Sequence, residues 1–543
     1  MILVKVLKSF QIAQEKYTAK STIAFQLEHK YALETLQANG YLEILKTPSK
    51  EVEQAAKQID EATLQSEVWQ LLLTKQKDEA TELLCETLQN KTKFYATRFD
   101  EKSELYYYEN GIYIPNGRSC CKEFCRKILA TAYTEQIANR VIAKIEADNY
   151  IEQAELLKRH YPNEIVCENG ILNLQTRRLT EFTPEKIFLS KIPVKYDPEA
   201  TCPEINKFFS EILPGQNDVK TLKEWFGYCL RGEYPIQKIG LFLGEGGNGK
   251  GQVLELLRKM LGEGNCSAIP LQKLQEMDFK EAELFNRFAN IGADISDQPL
   301  KETSKIKGLS GGDLINASVK FKNDLVFMNE AKLIFSANKL PKTYDLTPAF
   351  FRRWIYIVFP YNFKTQVEID SLPEHLQEVC KVKTDDIIKK IITPQELSGI
   401  LNESLNGLKR LLTQGDFTSS QTSEELRNWW IRNSDSCLAF CWEELEEHPD
   451  AWISKDDFRK AYFQYCRKNK INSEGDKHVH EVLTRQIRAW DSQNTDGSRV
   501  WNGIRFKEPE KPEEEPKETP KTKEKLEKQT KSSSVDSEIV WVK

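Results

Sequence analysis

The sequence predicts an α/β core within a chain of several domains. Three observations support this fold class. The stretch from Lys238 to Met260 combines a buried apolar strand, a loop rich in glycine and a helix with one apolar face. Further apolar strands that end in polar residues follow before residue 362. The length of 543 residues exceeds one ordinary domain, and a composition of 40% hydrophobic and 29% charged residues is that of a globular protein.

Changes in composition along the chain predict six segments. Residues around Glu51 show helical spacing, Glu109 to Gly111 form a hairpin turn, and Ser454 with Asp457 form a helix capping box. The tail is rich in Pro, Lys and Glu and is predicted to be disordered. The segments are a mainly helical N-terminal region (1–95), an α+β region (96–235), the α/β core (236–365), a helical lid or linker (366–429), a small winged-helix-like domain (430–507) and the charged tail (508–543).

The absence of targeting and membrane patterns, the cysteine spacing and the net charge indicate the compartment and the kinds of partner to expect. The N-terminus lacks the pattern of a signal peptide, and no stretch reaches the ~18 apolar residues that span a bilayer, so we expect a cytoplasmic protein without a membrane partner. The twelve cysteines lack paired zinc-site spacing and are interpreted as free thiols. A net charge of −5 indicates that nucleic acid would be contacted by local basic residues.

The loop after the first core strand is typical of a phosphate-binding P-loop. Its glycines can bring backbone N–H groups close to an anion at a helix N-terminus, and Lys250 can reach the β- and γ-phosphates. A glycine-rich turn without a ligand is the alternative. The predicted nucleotide-binding residues are Gly244, Glu245, Gly246, Gly247, Asn248, Gly249, Lys250 and Gly251.

Gly251 departs from the P-loop pattern. The pattern places Ser or Thr after the lysine, where the hydroxyl ligates magnesium. Two readings remain open: a magnesium shell completed by water, or a site that binds nucleotide and turns it over poorly.

Polar residues at later strand ends are candidates for the remaining catalytic roles. A predicted strand ends in Asp294, which can hold Mg²⁺ through water, and Asp297 close behind it can orient the attacking water. Asn338 ends another apolar strand, where its amide can sense the γ-phosphate. Arg352 and Arg353 precede a further strand and are candidates for an arginine finger, with a surface ion pair as the alternative.

Together these residues resemble the superfamily-3 helicase domain of phage, plasmid and poxvirus primase-helicases. The resemblance runs through GEGGNGKG, NIGADISD, the GLSGGD segment, FSANKLP and FFRRW, and it covers roughly residues 95–365. It implies an AAA+-like core that binds ATP and Mg²⁺ between the subunits of a homo-hexameric ring, with residues 96–235 as an adaptor.

The resemblance also implies roles for individual residues. Gly244 to Lys250 would be Walker A, Asp294 and Asp297 the Walker B region, and Asn338 the polar sensor, while Arg352 or Arg353 would act on a neighbour's ATP. Lys320 and Lys322 match the place of a channel hairpin that grips single-stranded or forked DNA; a solvated strand face is the alternative. No primase signature is recognised in residues 1–95, so priming would come from a separate protein.

The leading functional hypothesis is an ATP-dependent DNA helicase or translocase in the replication of a virus- or plasmid-type element. A nucleotide- and DNA-binding ring or scaffold with weak or no turnover is the alternative that Gly251 motivates. A third hypothesis is an AAA+-type ATPase that acts on protein partners, which would lack salt-sensitive DNA affinity.

Overall fold

The computed structural model describes residues 61–97, 103–152, 161–276, 281–292, 295–296, 298–317, 325–469, 471–493 and 497–507, together with five strands between residues 2 and 46. The chain divides into two compact units, residues 1–430 and 431–543.

The helices of the first unit are α1 (Glu61–Leu73), α2 (Lys77–Lys91), α3 (Gly117–Leu129), α4 (Glu135–Asp148), α5 (Pro203–Ile212), α6 (Gln216–Cys229), α7 (Lys250–Leu261), α8 (Leu271–Glu276), α9 (Ser304–Leu309), α10 (Pro348–Phe351), α11 (Gln366–Asp370), α12 (Glu374–Gln377), α13 (Ile387–Ile391), α14 (Pro394–Gln414) and α15 (Ser423–Ser434), the last of which runs past residue 430. The strands of this unit are β1 (Ile2–Val6), β2 (Phe10–Ile12), β3 (Glu15–Tyr17), β4 (Thr22–Phe25), β5 (Leu42–Lys46), β6 (Phe94–Thr97), β7 (Leu105–Glu109), β8 (Ile112–Ile114), β9 (Tyr150–Ile151), β10 (Glu164–Cys167), β11 (Gly170–Asn173), β12 (Leu179–Thr180), β13 (Ile239–Leu243), β14 (Cys266–Ser267), β15 (Ala289–Gly292), β16 (Leu314–Ala317), β17 (Leu325–Met328), β18 (Lys332–Ala337), β19 (Trp354–Val358), β20 (Asn362–Lys364) and β21 (Cys380–Val382).

The N-terminal region contains strands as well as helices. β1 pairs with β4 and β5 in an antiparallel sheet, and β2 pairs with β3. The prediction of a mainly helical region for residues 1–95 is therefore wrong for the five described strands β1 to β5, whereas α1 and α2 agree with it. Val4 pairs with both Ile23 and Ile44, which are distant in sequence. The spacing of apolar residues along a short segment does not reveal such pairing.

The hairpin predicted around Glu109 is confirmed. β7 pairs with β8 in antiparallel register, and the turn residues Asn110 and Gly111 both have positive φ, 48° and 96°. That geometry is the one a two-residue hairpin turn requires. The hairpin belongs to a four-stranded sheet of order β8-β7-β6-β9, and α3 and α4 lie between β8 and β9 in the chain.

A five-stranded parallel sheet forms the predicted α/β core. Its order is β14-β15-β18-β13-β19, so β13 lies between β18 and β19. All five residues of β13 are buried, and both faces of the sheet are covered by apolar clusters. Burial on both faces explains why these strands read as continuous apolar runs.

Helices α6 and α14 approach each other closely beside this sheet. A Cβ on Gly227 of α6 would lie 2.1 Å from the carbonyl oxygen of Ser404 on α14, so only glycine allows the contact. Arg410 of α14 also donates to the fully buried Glu224 of α6, with Nε 2.6 Å from Oε1. The segment predicted as a helical lid is thus anchored to the core, and it also contains β21, which pairs with β20.

The second unit contains α16 (Ser436–Glu444), β22 (Leu445–Ser454), α17 (Lys455–Lys468), α18 (Asp476–Glu481), β23 (Trp490–Gln493) and β24 (Arg499–Phe506). The strands form an antiparallel sheet of order β22-β24-β23, and the predicted cap of α17 is present, because Ser454 Oγ accepts from Asp457 N at 3.0 Å. At the start of α16, Asp435 is buried and its Oδ2 lies 2.8 Å from Nε2 of His478.

Among the residues described, no helix combines the length and the apolar character needed to cross a membrane.

Candidate nucleotide-binding site

The glycine-rich loop joins the carboxyl end of β13 to the first turn of α7, as predicted. Gly244, Gly247 and Gly249 have φ values of 151°, 76° and 89°, which side chains disfavour. Gly244 is also crowded, since a Cβ there would lie 2.1 Å from Asn248 Nδ2 and 2.5 Å from the carbonyl oxygen of Phe359. The glycines therefore meet the backbone demands of this turn, which ends at the N-terminus of a twelve-residue helix.

Two hydrogen bonds attach the loop to the chain that follows β19. Asn248, which is buried, donates from Nδ2 to the carbonyl of Phe359 at 3.2 Å. The amide of Phe363 in β20 donates to the carbonyl of Gly247 at 2.8 Å. The loop is therefore held in its bent shape from outside as well as by its own glycines.

Lys250 is buried at the first position of α7. Its ammonium donates to the carbonyl of Gly244, to the carbonyl of Glu245 at 3.2 Å and to Asn338 Oδ1 at 3.3 Å. Asn338 directly follows β18, the parallel neighbour of β13. The structure thus brings together two predicted catalytic residues that stand 88 positions apart.

A cavity of about 740 Å³ opens beside the loop. Parallel sheets bind ligands outside the carboxyl ends of their strands, and this cavity lies at that edge. The loop and α7 line it together with residues of α5, of β18 and the position after it, of β20, and of α13 and the segment before it. Its lining outside the loop comprises Phe208, Glu211, Ile212, Gln252, Leu254, Arg258, Ser336, Asn338, Phe363, Lys383, Thr384, Asp386, Ile387 and Ile388.

Most residues of this wall were not predicted from the sequence. Phe208 and Ile212 precede the loop by more than thirty residues, and Ile387 and Ile388 follow it by more than 130. Their apolar spacing in α5 and α13 was a signal for a packed helix face, not for a ligand. An apolar wall beside a phosphate loop has the character that a nucleotide base requires.

The predicted acidic pair lies outside the described residues. Asp294 and Asp297 follow β15, whose last described residue is Gly292. The amide of Ile295 donates to the carbonyl of Ser336 at 2.8 Å, so the chain leaving β15 runs beside the end of β18. The roles of the two aspartates stay predictions.

The two predicted arginines differ sharply in environment. Arg352 is exposed, and its Nη2 lies 3.4 Å from Gln237 Oε1. Arg353 is 8% exposed and donates to the carbonyl of Ala349; burial and the neighbouring Arg352 lower the pKa of its guanidinium. Of the pair, Arg352 has the exposure that a residue acting on another molecule needs.

The predicted DNA-contacting lysines also lie outside the described residues. β16 and β17 pair antiparallel, with Leu314 opposite Met328, and Lys320 and Lys322 belong to the stretch that connects them. β16 and β17 therefore lie on either side of the stretch that the resemblance assigns to a channel hairpin, and the contact of the lysines with DNA stays a prediction.

The residues present fit a nucleotide with its magnesium ion. Backbone N–H groups at the N-terminus of α7 and the Lys250 ammonium suit a phosphate chain. Asn338 offers a side-chain oxygen at the same edge, whereas Gly251 offers none.

Two family models and two viral relatives match parts of this chain. Residues 46–214 match the family described as "D5 N terminal like", and residues 242–353 match a family of unknown function, DUF5906. The chain is 23% identical over 361 residues to "Putative helicase V13" of Sputnik virophage, and 25% identical over 207 residues to "Putative helicase L207/L206" of Acanthamoeba polyphaga mimivirus. These matches support a phage- and virus-type primase-helicase family. They agree with the predicted resemblance to phage- and virus-type primase-helicases, whereas its superfamily-3 and AAA+ parts stay predictions.

The extent of the family matches is partial. The virophage match covers 63% of this chain and 44% of that relative, and the mimivirus match covers 36% and 22%. Among solved structures, the A-form apo structure of the NrS-1 C-terminal region covers 78% of this chain and 99% of that one, with 13% identity and a TM-score of 0.37. A score at that level does not establish a shared fold.

Proposed function

We propose that this protein is an ATP-dependent DNA helicase or translocase of the superfamily-3, AAA+-like type. It would act as a homo-hexameric ring on single-stranded or forked DNA during replication of a virus- or plasmid-type element. The observation that carries the proposal is the placement of Lys250 against Asn338 at the cavity edge of the parallel sheet. The helicase names of two viral relatives support it.

The proposed reaction is hydrolysis of the γ-phosphate of ATP. A water oxygen attacks the γ-phosphorus, the bond from that phosphorus to the β–γ bridging oxygen breaks, and ADP and phosphate leave. Lys250 would stabilise negative charge on the β- and γ-phosphates, and Asn338 would position the water or the γ-phosphate. Asp294 and Asp297 would hold magnesium and orient the water.

The proposal also assigns roles toward magnesium, the adjacent subunit, DNA and a primer-supplying protein. The magnesium ion would neutralise charge on the phosphate oxygens. Arg352 would reach the ATP of the adjacent subunit, which its exposure permits. Lys320 and Lys322 would contact DNA phosphates, and residues 430–507 would form a winged-helix-like accessory domain. A separate protein would supply primers.

The test is an ATPase and strand-displacement assay on the full chain, with and without single-stranded DNA, beside Lys250→Ala. We expect DNA to raise the hydrolysis rate of the wild type and Lys250→Ala to abolish hydrolysis and unwinding. Equal rates with and without DNA would contradict translocation. DNA affinity that is independent of salt would contradict phosphate contacts.

One observation favours a second candidate, a nucleotide- and DNA-binding ring or scaffold with little turnover. Gly251 supplies no hydroxyl where a P-loop usually has one. This candidate predicts nucleotide-dependent assembly without phosphate release. Phosphate release by the wild type at a DNA-stimulated rate would exclude it.

A further inference from the structure

The glycine-rich loop has no hydroxyl at Gly251, although the surrounding protein leaves space for a side chain there. Apart from its chain neighbours and the backbone of its own helix, no protein atom lies within 4 Å of the point that a Cβ on Gly251 would occupy. A serine at this position would therefore fit, and its absence is not a steric requirement of the fold. If the site binds magnesium with its nucleotide, another oxygen must take the place of that hydroxyl.

Most of the other side-chain oxygens around the cavity are poor substitutes. Asn248 Oδ1 accepts from the Lys250 amide at 3.3 Å, and Asn338 Oδ1 accepts from the Lys250 ammonium. Glu211 comes from α5, and Thr384 and Asp386 come from the segment before α13, so all three lie outside the parallel sheet. Gln252 is exposed, so it would lose side-chain freedom on binding an ion.

Unlike these residues, Ser336 combines burial with a place within the parallel sheet. It is in β18, opposite Phe242 of β13, one pair before the Leu243–Ala337 pair that leads into the loop. Ser336 lines the cavity together with Lys250, Gly251 and Asn338. Ser336 is 5% exposed, so its side chain is already ordered.

The backbone of Ser336 contacts the segment that leaves β15. The carbonyl of Ser336 accepts a hydrogen bond from the amide of Ile295, and the predicted acidic pair belongs to the same segment. Magnesium prefers oxygen ligands and is usually held by one or two protein groups, phosphates and water. A neutral hydroxyl at the end of β18 meets that preference.

We infer that Ser336 supplies, from β18, the magnesium-coordinating hydroxyl that the loop lacks at Gly251. The inference rests on the proposed nucleotide site and adds to it a residue from a different strand. On this inference, the magnesium ligand comes from β18 instead of from the position after Lys250, and the absence of Ser or Thr there does not imply a loss of turnover.

The experiment measures nucleotide affinity against magnesium concentration for the full chain, with ADP as the probe and calorimetry as the readout. Ser336→Ala should leave the metal-free ADP affinity unchanged and raise the Mg²⁺ concentration for half-maximal effect by about 10-fold or more, the range for loss of a partner in a metal site. Ser336→Thr, which retains the hydroxyl, should behave as the wild type.

Two further variants sharpen the test. Gly251→Ser combined with Ser336→Ala should restore the wild-type Mg²⁺ requirement, because the hydroxyl returns at the usual position. Ser267→Ala removes another buried serine hydroxyl from the same sheet, where Ser267 Oγ lies 2.9 Å from Asn290 Oδ1, and should leave the requirement unchanged.

The outcomes distinguish the role of Ser336 from the existence of the nucleotide site. An unchanged Mg²⁺ requirement in Ser336→Ala, with normal metal-free ADP binding, would overturn the role of Ser336 alone. A requirement that rises equally in Ser267→Ala would overturn it too, since it would indicate a general effect on the sheet. Failure of the wild type to bind ADP, or binding that Lys250→Ala does not weaken, would overturn the nucleotide site itself.

Discussion

The ammonium nitrogen of Lys250 lies 3.3 Å from Oδ1 of Asn338, so the first residue of α7 contacts the residue that follows β18. The contact exists because β13 and β18 are parallel neighbours whose carboxyl ends meet at one edge. It places an amide oxygen beside the cation that would hold the phosphates.

Replacing Asn338 by alanine tests that contact. If Asn338 acts on the γ-phosphate or its water, Asn338→Ala should lower the kcat of ATP hydrolysis by about 100-fold, as for loss of one positioned polar group, and change nucleotide affinity little. Steady-state kinetics with direct binding measurements would show the split. A kcat equal to that of the wild type would argue against a sensor role.

Gly244 and Gly246 form a matched pair of substitutions. Gly244→Ala should abolish nucleotide binding and lower thermal stability, because the new Cβ would collide with Asn248 and the Phe359 carbonyl at a φ of 151°. The Cβ of Gly246→Ala would meet no atom within 4 Å other than those of its chain neighbours, so this variant should fold normally. Thermal unfolding and ADP titration distinguish the two, and equal behaviour of both variants would contradict the loop geometry.

The two arginines should separate into a functional and a structural residue. Arg352→Ala should reduce ATP hydrolysis with little change in the melting temperature, since Arg352 is exposed. Arg353→Ala should lower the melting temperature, since the buried guanidinium and its bond to Ala349 are lost. A loss of hydrolysis confined to Arg353→Ala, with unchanged stability, would reverse the assignment.

Asp345 should make stability depend on pH. Burial raises the pKa of its carboxyl group, but hydrogen bonds from Thr303, Thr347 and Lys307 outweigh that effect and hold the pKa well below its usual range. Between the folded pKa and the unfolded value of about 3.9 the unfolded chain binds more protons, so this contribution is present above about pH 4 and is lost as pH falls further.

Asp345→Asn is the corresponding variant. It should lower the free energy of unfolding by about 1–3 kcal/mol at pH 7, the cost of weakening hydrogen bonds to a charged group, and by less at pH 3. Denaturant unfolding at both pH values would measure this, with the exposed Asp385→Asn as control. A deficit that stays constant down to pH 3 would mean that the charge of Asp345 is not the cause.

Features that depend on residues close in sequence could be predicted without knowledge of tertiary contacts. The hairpin at Asn110 and Gly111, the cap at Ser454 and the loop from Gly244 to Lys250 all depend on residues close in sequence, and each is found where it was predicted. The strands at residues 2–46 were missed because Val4 pairs with Ile23 and Ile44, partners that no short window contains.

The sequence by itself determined the loop, the strands that carry it and the residues at their ends, because glycine, lysine and strand periodicity act over a few positions. Only the tertiary structure decided that Arg352 is exposed while Arg353 is buried, that Phe208 and Ile387 share a cavity with Lys250, and that Ser336 lies in the same cavity. Such relations depend on how distant segments pack around one sheet, and burial is a property of that packing and not of any residue alone.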